Sequence, residues 1–244
     1  MGGRTRLPRV TWVGDSAIEV AVGPGRPDLA AVARAQLVGG ALLAAAIPEV
    51  VDVVPGLRTV LVTLDRSRPP QHPGRLRERV RLEAVRALAV RPRPGRAGPE
   101  RLVTVPVRYG GDDGPDLAAV AEETGLPAAA VVASHAGRPY TVLALGFRPG
   151  FAFLGFVDPR LTVARRSAPR LAVPAGSVGL AGRQTGIYPG EAPGGWRLIG
   201  RTAIRLFDPA AASAETACLL RPGDRVLFVA DRLGQVVPPD RTGR

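Results

Sequence analysis

A chain of 244 residues, 45% of them hydrophobic, has apolar material for one large core or two modest ones. Its formal charge of +12 rests on 33 basic residues, all of them arginine, so no Walker-loop lysine, Schiff base, or biotin or lipoate attachment site is available. One cysteine (Cys218) and two histidines (His72 and His135) make neither an intrachain disulfide nor a Cys/His zinc site, and arginines scattered among 5% aromatics do not form a nucleic-acid-binding stripe.

The opening MGGRTRLPRV lacks the apolar run of a signal peptide, and the longest apolar stretch, Leu37 to Ile47, is too short to span a bilayer. A soluble, cytoplasmic protein is expected. Val10 to Val22 alternates around Gly14-Asp15 and reads as a hairpin. Asp28, after Pro27, is an N-cap for a helix ending near Ile47, before Pro48. Val50 to Val54 and Thr59 to Leu64 read as strands. A second helix is expected over Gly74 to Val90, with Leu76, Val80, Ala84 and Leu88 on its apolar face and Arg79 paired with Glu83 at i, i+4. This order suits a ferredoxin-like α+β domain over residues 1–90.

Residues 91–100 begin RPRPGRAGP, a linker composition. Leu102 to Val107 opens the second domain as a strand. Asp116 caps a short helix that Gly125 ends, and Leu126-Pro127 leads into another reaching His135. Tyr140 to Leu145, Trp196 to Phe207 and Arg225 to Ala230 read as strands, so residues 101–237 are expected to form a β-barrel carrying two short helices. Residues 238–244 read as a disordered tail.

The densest chemistry lies in PAGSVGLAGRQTGIYPGEAPGGWRLIGRT, residues 174–202, where Gly and Pro enforce turns and short strands around Arg183, Gln184, Thr185, Tyr188, Glu191, Arg197 and Arg201. These groups bind carboxylates, amides or phosphates, yet include no evident nucleophile or metal cluster. Ser177 lacks the first glycine of a nucleophile elbow. Cys218 sits among Ala217, Leu219 and Leu220 as a small hydrophobe, and His72, between prolines, reads as a solvated loop residue. His135, near the end of its helix, is placed for an imidazolium favoured by the helix dipole, serving as an acid, a base or simply a cap. Phe147, Phe151, Phe153 and Phe156 read as barrel core and rim.

GFRPGFAFLGFVDPRL, VPAGSVGLAGRQTGIYP and APGGWRLIGRT, in that order, resemble the 5-oxoprolinase B-subunit family, which also includes a histidine-kinase inhibitor and matches allophanate hydrolase subunit 1. VPVRYGGDDGPDLAAVAEETGL and VGDSAIEV fit it too. The resemblance implies an α+β domain followed by a cyclophilin-like β-barrel. It also implies partnership with subunits A and C in the ATP-dependent opening of 5-oxo-L-proline to L-glutamate. ATP would then be held by a partner subunit. On this basis His135, Gln184, Tyr188 and Arg201 are the expected catalytic residues, with Thr185, Glu191 and Phe151 binding substrate and no metal. Departures from the family pattern occur at Arg108, Arg148, Gly190 and Ala192. Alternative readings are a histidine-kinase inhibitor acting by binding alone, or half of a urea or amide carboxyltransferase.

Overall fold

A computed structural model describes residues 7–89 and 101–231; the expected linker at 91–100 and tail at 238–244 lie outside those residues. The chain divides into two compact units, Met1–Gly98 and Pro99–Arg244.

In the first unit, strands β1 (Arg9–Val13) and β2 (Ala17–Ala21) pair antiparallel, with Gly14 in the left-handed region (φ 62°) at the turn. Helix α1 (Leu29–Ala44) starts at Asp28, whose carboxylate accepts from the Ala31 N–H at 2.6 Å. β3 (Val50–Pro55), β4 (Thr59–Leu64) and helix α2 (Pro73–Ala89) follow. The sheet order is β1-β2-β4-β3, every pairing antiparallel. Period-2 alternation sends Ile18, Val20, Val60, Val62 and Leu64 into one core with Val38 and Leu42 of α1 and Leu76, Val80 and Ala84 of α2. The sheet edge beside β2 is filled by β1, which precedes the first helix, whereas the ferredoxin-like pattern places there a strand that follows the second.

Charge on α2 is arranged differently from the expectation. Glu83 pairs with Arg86 at 2.8 Å and Glu78 with Arg81 at 2.5 Å, both at i, i+3, so Arg79 has no ion pair among the described residues. Arg86 approaches Glu83 from the C-terminal side, where an arginine also complements the helix dipole.

The second unit is a closed barrel. Its strands are β5 (Leu102–Tyr109), β6 (Pro139–Leu145), β7 (Ala152–Gly155), β9 (Ser177–Ala181), β10 (Gln184–Ile187), β12 (Arg197–Arg201) and β13 (Arg225–Ala230), linked as β10-β7-β6-β13-β5-β12-β9, with β9 and β10 completing the ring. β5 and β13, first and last, pair in parallel from Leu102↔Arg225 to Val107↔Ala230. Helices α3 (Leu117–Thr124) and α4 (Ala128–Ala136) pack on it, and a short α5 (Ala214–Ala217) opens with a capping box at Ser213. The interior holds Val105, Val107, Val142, Leu154, Val178, Leu180, Ile187 and Phe228.

One strand is shorter than its apolar pattern predicts. Instead of running continuously from Trp196 to Phe207, β12 stops at Arg201: the Thr202 hydroxyl accepts from the Ile204 N–H at 3.2 Å, which bends the chain. Phe207 retains an isolated bridge to Cys218.

Outside the barrel lies a second, smaller apolar layer of Phe151, Val173, Ala181, Tyr188, Ala192, Trp196 and Leu198. It is backed by a two-stranded sheet of β8 (Arg170–Val173) and β11 (Ala192–Gly194). Glycines on the barrel's outward face make room for it. A Cβ on Gly186 would stand 3.1 Å from both Phe151 and Trp196, and one on Gly179 3.0 Å from Trp196. Gly176 (φ +80°) lies at the turn into β9, where a Cβ would overlap the Thr202 carbonyl oxygen. Gly176→Ala is therefore expected to destabilise the unit by more than about 2 kcal/mol, combining backbone strain with a clash; urea denaturation of the purified variant measures it.

Candidate functional site

Burial outweighs the helix dipole at His135. The residue is fully buried, and that burial pushes its imidazole down to about 3, so the ring is neutral where its helix-end position predicts an imidazolium. Its hydrogen bonds fix the tautomer. The Thr185 hydroxyl donates to the Gly179 carbonyl at 3.0 Å; having one proton, it accepts from His135 Nε2–H at 2.8 Å. Nδ1 is then the acceptor, and the Tyr109 hydroxyl donates to it at 2.7 Å. Phe228 lies on the imidazole with centroids 4.5 Å apart, and the Tyr140 hydroxyl donates to the His135 carbonyl at 2.9 Å. Both ring nitrogens are occupied in a closed chain running from α4 into the barrel wall, leaving none free for acid-base work.

Folded-state protonation near pH 3 against an ordinary value near 6.5 means the unfolded chain holds the extra proton between those limits. Stability contributed by His135 is thus fully present above about pH 6.5 and is lost as pH falls towards 3. An NMR titration of the ring protons from pH 8 to 5 is expected to leave His135 flat, and a mid-range inflection at His135 would contradict the network.

The other expected site residues separate into distinct places. Phe151 and Tyr188 are 1% and 2% exposed in the outer aromatic layer. Their rings are edge-on at 5.3 Å, burial raises the Tyr188 phenol pKa, and the Trp196 backbone N–H donates to it. Gln184 and Arg201 stand at opposite ends of β9, across from Ala181 and Ser177 respectively, a separation of about 13 Å at strand rise. Thr185 belongs to the His135 chain, and the Glu191 side chain is exposed while its carbonyl accepts from Arg148 Nη1.

Gln184 is the member with unused chemistry. It shares the outward face of β10 with Gly186, and hence with Phe153 and Trp196, and its Nε2 is buried without a hydrogen-bond partner among the described residues. A buried amide donor left unmade costs about 1–3 kcal/mol, which makes this group unusual in the outer layer. Beside it Arg183 lies over the Phe156 ring at 5.2 Å. Arg201 donates through Nε to the Ala175 carbonyl at 2.8 Å and forms no ion pair among the described residues. Its charge adds to the hydrogen bond and charge of Arg108 in holding the Asp113 carboxyl below the ordinary range.

Two features were not legible as site elements in the sequence. Phe147 is 60% exposed although it holds a left-handed backbone (φ 68°), and its ring meets Phe151 and Tyr188 edge-on. Asp116, in the sequence simply a helix cap, is 4% exposed and takes both Arg170 and Arg166 as well as the Leu198 N–H. The run Arg165-Arg166, with Arg170 four residues beyond the second, is the signal that could have found it.

The closed barrel, its flanking layer and its appended α+β unit place the protein in a class defined by a family model, the carboxyltransferase domain, subdomain C and D, which matches residues 8–220. The chain is 46% identical over 189 residues to the B subunit of 5-oxoprolinase from Escherichia coli O157:H7, covering 77% of this chain and 81% of that protein. It belongs to the 5-oxoprolinase B-subunit family. Among solved structures, TTHA0988 aligns with a TM-score of 0.71 at 39% identity, over 91% of this chain and 41% of that one. The K. lactis urea amidolyase shares the fold at a TM-score of 0.73 and 20% identity, over 92% of this chain and 15% of that one.

Proposed function

We propose that this chain is the B subunit of an ATP-dependent 5-oxoprolinase, acting with subunits A and C to open the lactam of 5-oxo-L-proline to L-glutamate. The observation that carries the reading is the buried Gln184 Nε2, unpartnered among the described residues, on an aromatic wall. Lactam opening places negative charge on the carbonyl oxygen, and an amide N–H held by a strand stabilises that charge once its side chain turns towards the substrate. Gln184 is the donor to the lactam oxygen. Arg201, at the other end of β9 and turned to the Ala175 carbonyl, grips an acidic group on a partner subunit with its outer guanidinium edge. Phe147 and Arg148 extend the same contact, an exposed aromatic and a pinned arginine being strong interface anchors. His135, with Thr185, ties α4 to the barrel and takes no part in proton transfer. ATP is held by a partner subunit, and the chain alone is inactive. The barrel is read as cyclophilin-like and the first unit as a ferredoxin-like layer whose outer strand enters from the N-terminal side.

Coexpression with subunits A and C, followed by an assay of glutamate released from 5-oxoproline with and without ATP, tests the proposal. Glutamate formation that needs all three chains and ATP is the expected result. The shared fold with urea amidolyase favours one second reading, half of a carboxyltransferase for an amide. Because this chain has no lysine, biotin would be carried elsewhere, and inhibition of the assembled complex by avidin would select that reading over the first.

A further inference from the structure

The first unit contains a cleft of about 420 Å³ whose lining includes Glu49, Arg68, His72, Arg75 and Arg79, with Pro48 and Pro69 in its walls. Arg75 and Arg79 are one turn apart on α2, and Arg68 faces them from the loop after β4. None of these three guanidinium groups is in an ion pair among the described residues, whereas Arg81 and Arg86 on the same helix are neutralised by Glu78 and Glu83. Glu49 is the only carboxylate in the lining among the described residues, which leaves an excess of positive charge. The arrangement is unfavourable for the helix by itself. Its first turn has no acidic residue, Arg75 adds positive charge at the positive end of the dipole, and like charges at i, i+4 repel. A bound anion reverses the sign of both effects. The prolines in the walls restrict the backbone there, so part of the ordering cost of binding is already met.

We infer that this cleft binds a phosphate-bearing small anion through Arg68, Arg75 and Arg79. Forked guanidinium donors match the tetrahedral oxygens of a phosphate, and three of them around one cleft suit adjacent phosphates better than a single carboxylate. The inference does not depend on the proposed enzymatic role, since it concerns binding by this chain alone.

Calorimetric titration of the full chain with inorganic phosphate, pyrophosphate, ATP and glutamate at physiological salt is the test. Saturable one-site binding of pyrophosphate or ATP is expected, weakened about tenfold or more in the double variant Arg75→Ala, Arg79→Ala. Arg77→Ala removes the same kind of charge from the same helix outside the cleft and should leave affinity within about twofold. ATP binding more tightly than pyrophosphate would identify a nucleotide as the source of the phosphate, and the reverse order a free polyphosphate. Unsaturable binding, equal weakening by Arg77→Ala, or glutamate binding as tightly as pyrophosphate would overturn the site. The substituted arginines are exposed, so a thermal melt no lower than that of the parent chain certifies the double variant as folded.

Discussion

Asp116→Ala is expected to lower the melting temperature by roughly 10 °C, corresponding to about 3–5 kcal/mol lost when one partner of a buried ion pair is removed. The carboxylate lies where three parts of the fold meet: it precedes α3, it accepts from the Leu198 N–H of β12 at 2.7 Å, and it receives Arg170 of β8 at 2.8 and 2.9 Å and Arg166 at 3.2 Å. Burial alone would push its carboxyl up; the Arg170 hydrogen bonds, the Leu198 N–H and the charges of Arg170 and Arg166 outweigh it and hold it below the ordinary carboxylate value. A depressed folded value means that the stabilisation is complete above the unfolded carboxylate range and is lost as pH falls through the folded value, below about pH 4. Asp116→Asn separates the contributions, because it keeps an acceptor for Leu198 and loses the charge. Its melting temperature should fall less than that of Asp116→Ala, and the acid-side loss below about pH 4 should shrink in both variants. Differential scanning calorimetry from acid to neutral pH reads all three; an Asp116→Ala protein melting like the parent would show that the arginines find other partners.

Gln184→Ala separates function from stability in the opposite sense. In the assembled complex kcat is expected to fall about 100-fold, the usual effect of losing one donor to a developing oxyanion. The melting temperature should hardly move, because Nε2 has no partner to lose among the described residues and deleting an unsatisfied buried donor relieves a cost. Steady-state glutamate production by the complex, beside a melt of the isolated chain, provides both readings. A lower melting temperature with unchanged kcat would make Gln184 a packing residue and remove the observation on which the proposed function rests. Gln184→Glu should be no better than alanine, since a carboxylate beside developing negative charge repels it and donates nothing.

Local rules recover most of the fold because they act within a few residues. The Asp28 cap, the turn at Gly14, the Gly125 stop after α3 and the alternation of Thr59 to Leu64 each leave a signature in adjacent positions. The site is less legible, since its chemistry depends on what lies across the barrel. Nothing near His135 in the chain reveals that Tyr109 and Thr185 occupy both ring nitrogens, so helix-end position suggests a charged ring where burial enforces a neutral one. Gln184 and Arg201 stand in one dense motif, yet strand geometry carries them to opposite ends of β9. Arg79 shows the same limit on a helix, because i, i+4 spacing permits its pairing with Glu83 but cannot show that Arg86 competes for the same carboxylate.

The parallel pairing of β5 with β13 has a temporal side. These strands come from the two extremes of the barrel unit, and each is the other's neighbour in the ring. As the chain emerges from a ribosome, β5 is among the first parts of the unit to appear, and it keeps one edge unpaired until β13 follows. That seam is a long-range contact, with the loop-closure cost and slow formation such contacts bring. Until it closes, the Val103–Val107 edge can recruit strands from other chains. The nascent barrel is therefore most vulnerable to aggregation just before its last strand is made.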